Sequence, residues 1–593
     1  MISQSFKVLK KTGSLADPTM AAGLASLLKT LTDVEPFIRD IGPYYEVSVG
    51  RPVDIDKLPY ERFLADPGYL YVKKAKEKTK PPETGEVFDY EAEKAKAEAR
   101  REARKAKKAK AKTETDAEGG EASFDVRPDW YLYQQLNVLQ AYGSYNGLHE
   151  AIRQADPARL ASSVKAKLEA LVEGRDPATV DTDFSFAVSP VQGFNPLVGK
   201  GVNRPKTDGP SVSSLDKSYA DWFDEWLRYV GMAIVGMASP LGKDIKMLAL
   251  SPSALSLTAL RQEIRKELLA AVGLAWTSSQ IDISGALKVA RRLVEGSGLL
   301  ERDEEWVLKE FTPRDLIAGI HTAYFKSLGT GKAVSNLSFI ALPGWFPVRD
   351  AQSARDWLDI IGEHLGVVSF LREDRSEEYS LLRTYRDFLS GDDVTAFLDF
   401  ASAYGIYVMR TRERGRRVRQ LTTVNLGKVV EGMERTRKVV EGMEGSFGSV
   451  LASEGFQNVA RAMRRGTVGE QFHKAQGRQQ YDIHYGLFHE LRRSAGFKDR
   501  LLKAVADFVC AYNAENARMA DRTASGGKGG IRRRPQVTTK DLEEFVAIID
   551  AYGAETIALL LAAYASAREP REEEPETAAP ESPAATASEV PAG

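Results

Sequence analysis

The most regular spacing of apolar residues in this chain lies near its carboxyl end, in residues 456–567. Apolar side chains recur there three and four positions apart, the period that places them on one face of a helix. The apolar positions are Leu501, Leu502, Val505, Phe508, Val509, Tyr512, Leu542, Phe545, Val546, Ile549, Ile557, Leu560, Leu561 and Tyr564. Such faces must be covered by other helices, so the pattern predicts a compact α-helical bundle, which we place at residues 431–567. Thr538 is expected to begin one of its helices.

The amino-terminal part of the chain mixes helical and strand patterns. Residues 24–31 have the spacing of a helix, whereas residues 44–49 and 245–250 have the pattern of strands. Further helical patterns cover residues 130–152, 158–172, 215–238, 256–272 and 282–294, and short strands are expected at residues 184–188 and 339–343. The sequence therefore predicts an α+β fold, with a mixed α/β body over residues 1–72 and 124–430 and the helical bundle after it.

A basic, low-complexity insertion is predicted at residues 73–123. From Lys73 to Lys112 the chain carries 15 basic and 8 acidic residues, a net charge of +7. Residues 91–112 are strong helix formers without a hydrophobic face, which is typical of a solvated helix or a disordered insertion. Two interpretations follow: a flexible spacer, or an electrostatic tether for nucleic acid whose binding weakens with salt.

The totals exclude several classes of protein. The 82 Lys and Arg residues balance 83 Asp and Glu residues, so the net charge of −1 favours no partner. The only cysteine, Cys510, excludes an internal disulfide and a Cys-based zinc site, and its apolar surroundings in the sequence predict a buried thiol. With no apolar run of 18 residues, we expect no membrane association and a cytoplasmic location. The acidic, proline-rich residues 568–593 are predicted to form a disordered tail.

Catalytic motifs are weak throughout the sequence. Residues 329–333 resemble the end of a phosphate loop but lack the upstream glycine and, at Ala333, the hydroxyl that binds magnesium. Asp392 and Asp393 resemble a polymerase metal turn, although helix capping explains them better. The six histidines have no metal-ligand spacing. We therefore expect a protein that is not an enzyme and uses neither a metal nor a cofactor.

Two segments have the composition of a nucleic-acid contact. Residues 183–206 form a loop rich in Gly, Pro and Asn, with unbalanced positive charge at Lys200, Arg204 and Lys206, which suits a polyanion or an ordinary surface loop. Residues 405–426 hold six arginines with Gly415 among them and are predicted to form a β-hairpin.

The predicted contacts with nucleic-acid backbone are Arg410, Arg412, Arg416 and Arg417 in the hairpin, and Arg464, Arg465, Arg532, Arg533 and Arg534 on basic rims of the bundle. A solvated hairpin is the alternative for the first group.

Four parts of the chain carry a resemblance to a known family. They are residues 11–28 (KTGSLADPTMAAGLASLL), 189–203 (SPVQGFNPLVGKGVN), 233–252 (AIVGMASPLGKDIKMLALSP), and the carboxyl-terminal runs 481–516 and 537–567. The chain resembles the large subunit of a type I CRISPR Cascade effector complex, with the closest likeness to the I-B or I-A branch.

This resemblance implies a non-catalytic reader of the short motif (PAM) that flanks a target in double-stranded DNA. The implied partners are crRNA, target DNA, the handle-binding, backbone and small subunits of the complex, and a helicase-nuclease. The resemblance places motif reading in the 183–206 loop, with Gln192, Asn195, Lys200 and Asn203 as base-reading candidates and Lys206 on phosphate.

Two other functions are compatible with the same residues. One is a free-standing nucleic-acid-binding protein that needs no guide. The other is a polymerase-like large subunit with residual catalytic activity at Asp392 and Asp393.

Overall fold

The computed structural model describes residues 1–65, 71–73, 87–110, 126–139, 141–188, 191–198, 221–274, 277–298, 310–329, 331–345, 347–391, 393–436, 447–524 and 532–569. The chain divides into two compact units. Unit 1 comprises Met1–Tyr404 and Val429–Phe447, and unit 2 comprises Gly405–Lys428 and Gly448–Gly593. Unit 1 contains helices and sheets, whereas the described part of unit 2 is built of helices. The predicted α+β class is therefore confirmed.

The described strands are β1 (Ile2–Leu9), β2 (Pro36–Asp40), β3 (Tyr44–Asp54), β4 (Tyr71–Lys73), β5 (Val87–Asp89), β6 (Gly236–Leu241), β7 (Asp244–Pro252), β8 (Ala254–Ser256), β9 (Ile317–Leu328) and β10 (Gly331–Ala341). The helices up to residue 316 are α1 (Ala16–Thr32), α2 (Tyr60–Ala65), α3 (Tyr90–Lys110), α4 (Trp130–Val138), α5 (Ala141–Gln154), α6 (Pro157–Glu173), α7 (Trp222–Val235), α8 (Arg265–Leu274), α9 (Ser278–Glu295) and α10 (Pro313–Leu316).

The later helices are α11 (Ala351–Val368), α12 (Ser376–Gly391), α13 (Val394–Glu413), α14 (Thr423–Thr436), α15 (Phe447–Ala452), α16 (Glu454–Arg464), α17 (Glu470–Ala475), α18 (Leu487–Ser494), α19 (Lys498–Ala524), α20 (Thr539–Tyr552) and α21 (Ala554–Ser566). The predicted boundary between body and bundle, at residues 430 and 431, falls inside α14.

Two antiparallel sheets form the framework of unit 1. The first has the strand order β1-β3-β2-β8, and the second has the order β10-β9-β7-β6. The alternation along β1, where Phe6 and Val8 are fully buried, shows that one face of the first sheet is covered. β7 is buried along nearly its whole length, as expected for an inner strand with both faces covered.

Helices α1 and α7 cross at a point where two glycines allow their backbones to touch. A Cβ atom on Gly23 of α1 would overlap the carbonyl oxygen of Leu227, and one on Gly231 of α7 would overlap the carbonyl oxygen of Thr19. This contact packs the aromatic residues of α7, including Trp226, into the core of unit 1.

Part of the predicted insertion belongs to the folded unit. β5 pairs in parallel with β4, and Phe88 and Tyr90 are buried against the ring of Trp130. The aromatic side chains draw residues 87–90 of the predicted insertion into the core. Residues 74–86 and 111–123 of the insertion lie outside the described residues.

Unit 2 is a helical bundle, as predicted. Phe456 of α16 packs on Phe545 of α20 and Tyr564 of α21. α20 begins at the predicted place, because Thr538 and Asp541 form a capping box. The predicted burial of Cys510 is wrong, because its side of α19 faces solvent.

Candidate nucleic-acid interface

The arginine segment, which we define as Arg410–Arg419, is the end of a helix and the chain that follows it. The predicted β-hairpin is wrong here. α13 runs to Glu413, and Gly415 then adopts the left-handed conformation at φ 69°. The amide of Gly415 donates to the carbonyl of Arg412 at 2.9 Å, and the amide of Arg416 donates to the carbonyl of Thr411 at 3.0 Å. This pair of bonds is the Schellman motif that ends helices, so the glycine stops a helix instead of turning a hairpin.

Both ends of the arginine segment are fixed to the bundle. Arg412 donates to the Gln420 side chain at 2.5 Å, and Gln420 in turn donates to the carbonyl of Ser566 at 2.9 Å. Beyond the segment, Leu421 accepts a bond of 2.8 Å from the amide of Arg568. Arg412 is thus half-buried and serves to position the segment.

The arginines between these anchors project into solvent. Arg414, Arg416 and Arg417 are exposed, and their side chains form no hydrogen bond or ion pair with the described residues. Arg410 is also exposed, although its Nη2 lies 2.9 Å from Nε2 of His489 on α18. Three free guanidinium groups within four residues can contact successive phosphates.

Arg414 and Arg419 were not predicted as contacts, although both are exposed. The sequence shows that both residues are basic, but the predicted hairpin gave no reason to prefer the arginines on one of its faces. An exposed aromatic ring was missed as well. Phe472 on α17 is 47% exposed, and its neighbour Gln471 donates to the carbonyl of Met409 on α13 at 2.8 Å.

Two arginines of the predicted basic rims are buried. Arg464 donates to the carbonyls of Ala567 and Tyr564 at 2.8 and 2.6 Å and pairs with Glu569. Arg534 lies between the rings of Tyr481 and Tyr512, with its Cζ 3.4 and 4.5 Å from their centroids. Burial lowers the pKa of Arg464 from its ordinary value. Both guanidinium groups are occupied inside the bundle, and we remove them from the set of candidate contacts.

The other rim arginines differ in exposure. Arg533 is exposed and Arg465 is half-buried, and neither side chain bonds to a described residue. Arg532 pairs with the buried Glu470, and its amide donates to Gln480 at 2.9 Å. Arg533 is therefore the best placed of the three for an external phosphate.

The predicted motif-reading loop is only partly described: residues 191–198 are packed inside unit 1, whereas residues 183–188 alternate between exposed and half-buried. Asn195 is fully buried, and its Oδ1 accepts from the amide of Leu197 at 3.2 Å. Gln192 is half-buried and donates to the carbonyl of Lys332 at 3.4 Å. Between them, Phe194 packs edge-on against Tyr145 at 4.7 Å. Lys200, Asn203 and Lys206 lie outside the described residues, and the predicted strand at 184–188 is irregular chain.

A buried charge cluster underlies this loop. Arg228 of α7 pairs with Glu225 at 2.7 Å and with Asp224 at 3.3 Å, and Lys11 pairs with Asp224 at 3.0 Å. Glu225 also accepts from the amide of Val191 in the loop. Burial raises the pKa of Glu225 to about 7 in spite of the neighbouring arginine.

No group of three or more His, Cys, Asp or Glu among the described residues has the geometry to hold a metal ion. Asp393 accepts from the amide of Thr395 at 3.0 Å at the start of α13, which fits the capping interpretation; Asp392 is outside the described part. Burial lowers the pKa of His149 and His321 to about 4, so both are neutral at physiological pH.

Comparison with protein-family models and with curated proteins finds no match to this chain. Within the described ranges, no helix has both the length and the apolar character that crossing a membrane requires.

Proposed function

We propose that this chain is the non-catalytic large subunit of a type I CRISPR surveillance complex guided by crRNA. In this role it reads the motif beside a target in double-stranded DNA, helps to open the duplex, and takes part in recruiting the helicase-nuclease. The four stretches of resemblance support this proposal, and they fall on α1, on the 191–198 loop, on the β6–β7 hairpin and on the α18–α21 bundle.

The observation that carries the proposal is the exposed arginine segment. Isolated surface charges contribute little to stability, so the stability of unit 2 does not explain three free arginines held between two fixed anchors. Guanidinium groups bind phosphate oxygens in a bidentate manner, so the segment is suited to the backbone of a nucleic acid. Arg533 and the exposed ring of Phe472 add a further cation and a stacking surface on unit 2.

The test uses the complex reconstituted with crRNA and its partner subunits. Binding of a labelled target duplex is measured against salt for wild type, for Arg416→Gln/Arg417→Gln, and for the control Arg349→Gln/Arg355→Gln, which removes two exposed arginines of unit 1. Each lost phosphate contact makes the slope of log K against log salt shallower by about 0.9, so the test variant should lose about 1.8 and the control nothing. Equal slopes for the two variants would remove the arginine segment from the interface.

Motif reading is tested on the loop with Gln192→Ala and with Lys200→Ala/Asn203→Ala, because replacement of the buried Asn195 would disturb packing. Loss of a base contact should reduce discrimination between targets with and without the motif by about 1–3 kcal/mol.

If the chain joins no crRNA complex, the family proposal fails. Undiminished duplex binding by the chain without a guide would favour a free-standing binding protein.

A further inference from the structure

The first turn of helix α3 is fixed to unit 1. Tyr90 packs on Trp130 at 5.4 Å, and Phe88, just before the helix, packs on Tyr133 at 4.4 Å. Glu93, in the first turn, is buried and accepts from the amide of Arg127 at 3.0 Å. These contacts hold the direction of the helix as it leaves the core.

Beyond its first turn, the described side chains of α3 are mostly exposed to solvent. The described side chains from residue 94 to residue 106 are exposed, apart from the half-buried Ala97 and Ala103. Alanine is the only apolar residue type between residues 91 and 110. Lys94, Arg100 and Arg101 form no hydrogen bond or ion pair with the described residues.

Positive charge predominates strongly in this helix. Residues 94–110 contain nine Lys or Arg residues and two acidic residues, Glu98 and Glu102. Among the described side chains, Lys96 pairs with Glu93 and Lys105 pairs with Glu102, both at 2.8 Å. These pairs leave most of the basic residues of the helix without an acidic neighbour, so a polyanion outside the chain is the natural partner.

We propose that α3 is a sequence-independent binding arm for the phosphate backbone of duplex DNA. With 21 residues at 1.5 Å each, the helix is about 31 Å long, close to one turn of B-DNA, which carries a charge about every 1.7 Å. A membrane surface is a poor partner, because an interfacial helix needs an apolar face. A single strand is also disfavoured, since residues 91–110 offer no aromatic ring on which bases can stack.

This inference does not rest on the proposed function, because backbone binding by a basic helix requires no guide. The experiment accordingly uses the full chain alone, with a duplex of about 30 base pairs, roughly three turns, and arbitrary sequence as the probe. The variant is Arg100→Gln/Arg101→Gln/Lys105→Gln, in which glutamine preserves helix propensity. The matched control, Arg349→Gln/Arg355→Gln/Arg383→Gln, removes three exposed arginines elsewhere in unit 1.

Anisotropy titrations at several salt concentrations give the slope of log K. The loss of three phosphate contacts should make the slope of log K against log salt shallower by about 2.7. Between 50 and 200 mM salt, the affinity of wild type should therefore fall about 40-fold more than the affinity of the variant. The control should follow wild type, and both variants should keep the helical circular dichroism of wild type. Equal slopes for variant and wild type, or an equal change in the control, would overturn the proposal. So would a variant that loses binding to anionic phospholipid vesicles while keeping its binding to duplex DNA.

Discussion

The contact between α1 and α7 allows a prediction in which the same substitution has opposite effects at two sites. Gly231→Ala adds a methyl group where the carbonyl oxygen of Thr19 lies, with the amide nitrogen of Gly23 2.9 Å away. The obstacle is backbone, which cannot rotate away, so the two helices must separate. Overpacking in a core costs about 1–3 kcal/mol, and more where backbone must shift. Alanine regains about 1 kcal/mol of helix propensity, so we expect a net loss of about 2 kcal/mol or more.

Gly362→Ala is the matched control. Gly362 is also in a helix, α11, but it is exposed, and an added Cβ would meet no atom within 4 Å. At this position alanine gains helix propensity without a steric cost, so this variant should be more stable than wild type by about 0.5–1 kcal/mol.

The assay is denaturant unfolding followed by tryptophan fluorescence. All seven tryptophans belong to unit 1, and two of them, Trp222 and Trp226, are on α7 itself, so the signal reports the unit that carries both substitutions. The midpoint should fall for Gly231→Ala and rise for Gly362→Ala, with the slope of the transition unchanged. Equal or inverted shifts would refute the close approach of the two helices.

Three further outcomes are expected. The pKa of Glu225 is raised from 4.5 to about 7 in the folded chain, so between these pH values the folded state holds a proton that the unfolded chain has released. The stability of unit 1 should therefore fall by up to about 3 kcal/mol as pH rises from about 4.5 to 7. Unfolding experiments should show a flatter pH dependence for Glu225→Gln. Gly415→Val should destabilise the end of α13 by about 1–2 kcal/mol, seen as faster amide exchange in residues 405–428, whereas Gly415→Asn should cost less. Cys510 should react with a thiol reagent in the native protein, one thiol per chain; protection until denaturation would contradict its exposure.

Local patterns in the sequence predicted local structure well. Thr538 with Asp541 marked the start of α20, and the spacing of Trp222 and Trp226 marked the buried face of α7. These signals depend on neighbours within one or two turns, which the sequence displays directly. Gly415 is also a local feature of the sequence. A glycine with a positive φ occurs both in hairpin turns and at helix ends, and the spacing of apolar residues did not distinguish these two structures.

The candidate site was harder to predict, because it depends on residues distant in the sequence. Arg464 and Arg533 look alike as basic residues, yet Arg464 meets the carbonyl of Ala567, 103 positions later, and is buried. Asn195 was chosen as a base reader for its amide, whereas the fold packs it away next to Phe194. Charge identifies which residues can bind phosphate, and tertiary packing decides which of them remain available.

The bonds of Arg464 also set a limit to how far the chain can be shortened. Its guanidinium is held by the carbonyl of Tyr564 in α21, by the carbonyl of Ala567 just after that helix, and by Glu569, the last described residue. A truncated chain that stops after Glu569 retains every one of these acceptors. One that stops before Tyr564 leaves a guanidinium in the bundle without its partners, a loss of several kcal/mol for a buried charge. A carboxyl-terminal fusion or affinity tag therefore belongs beyond Glu569.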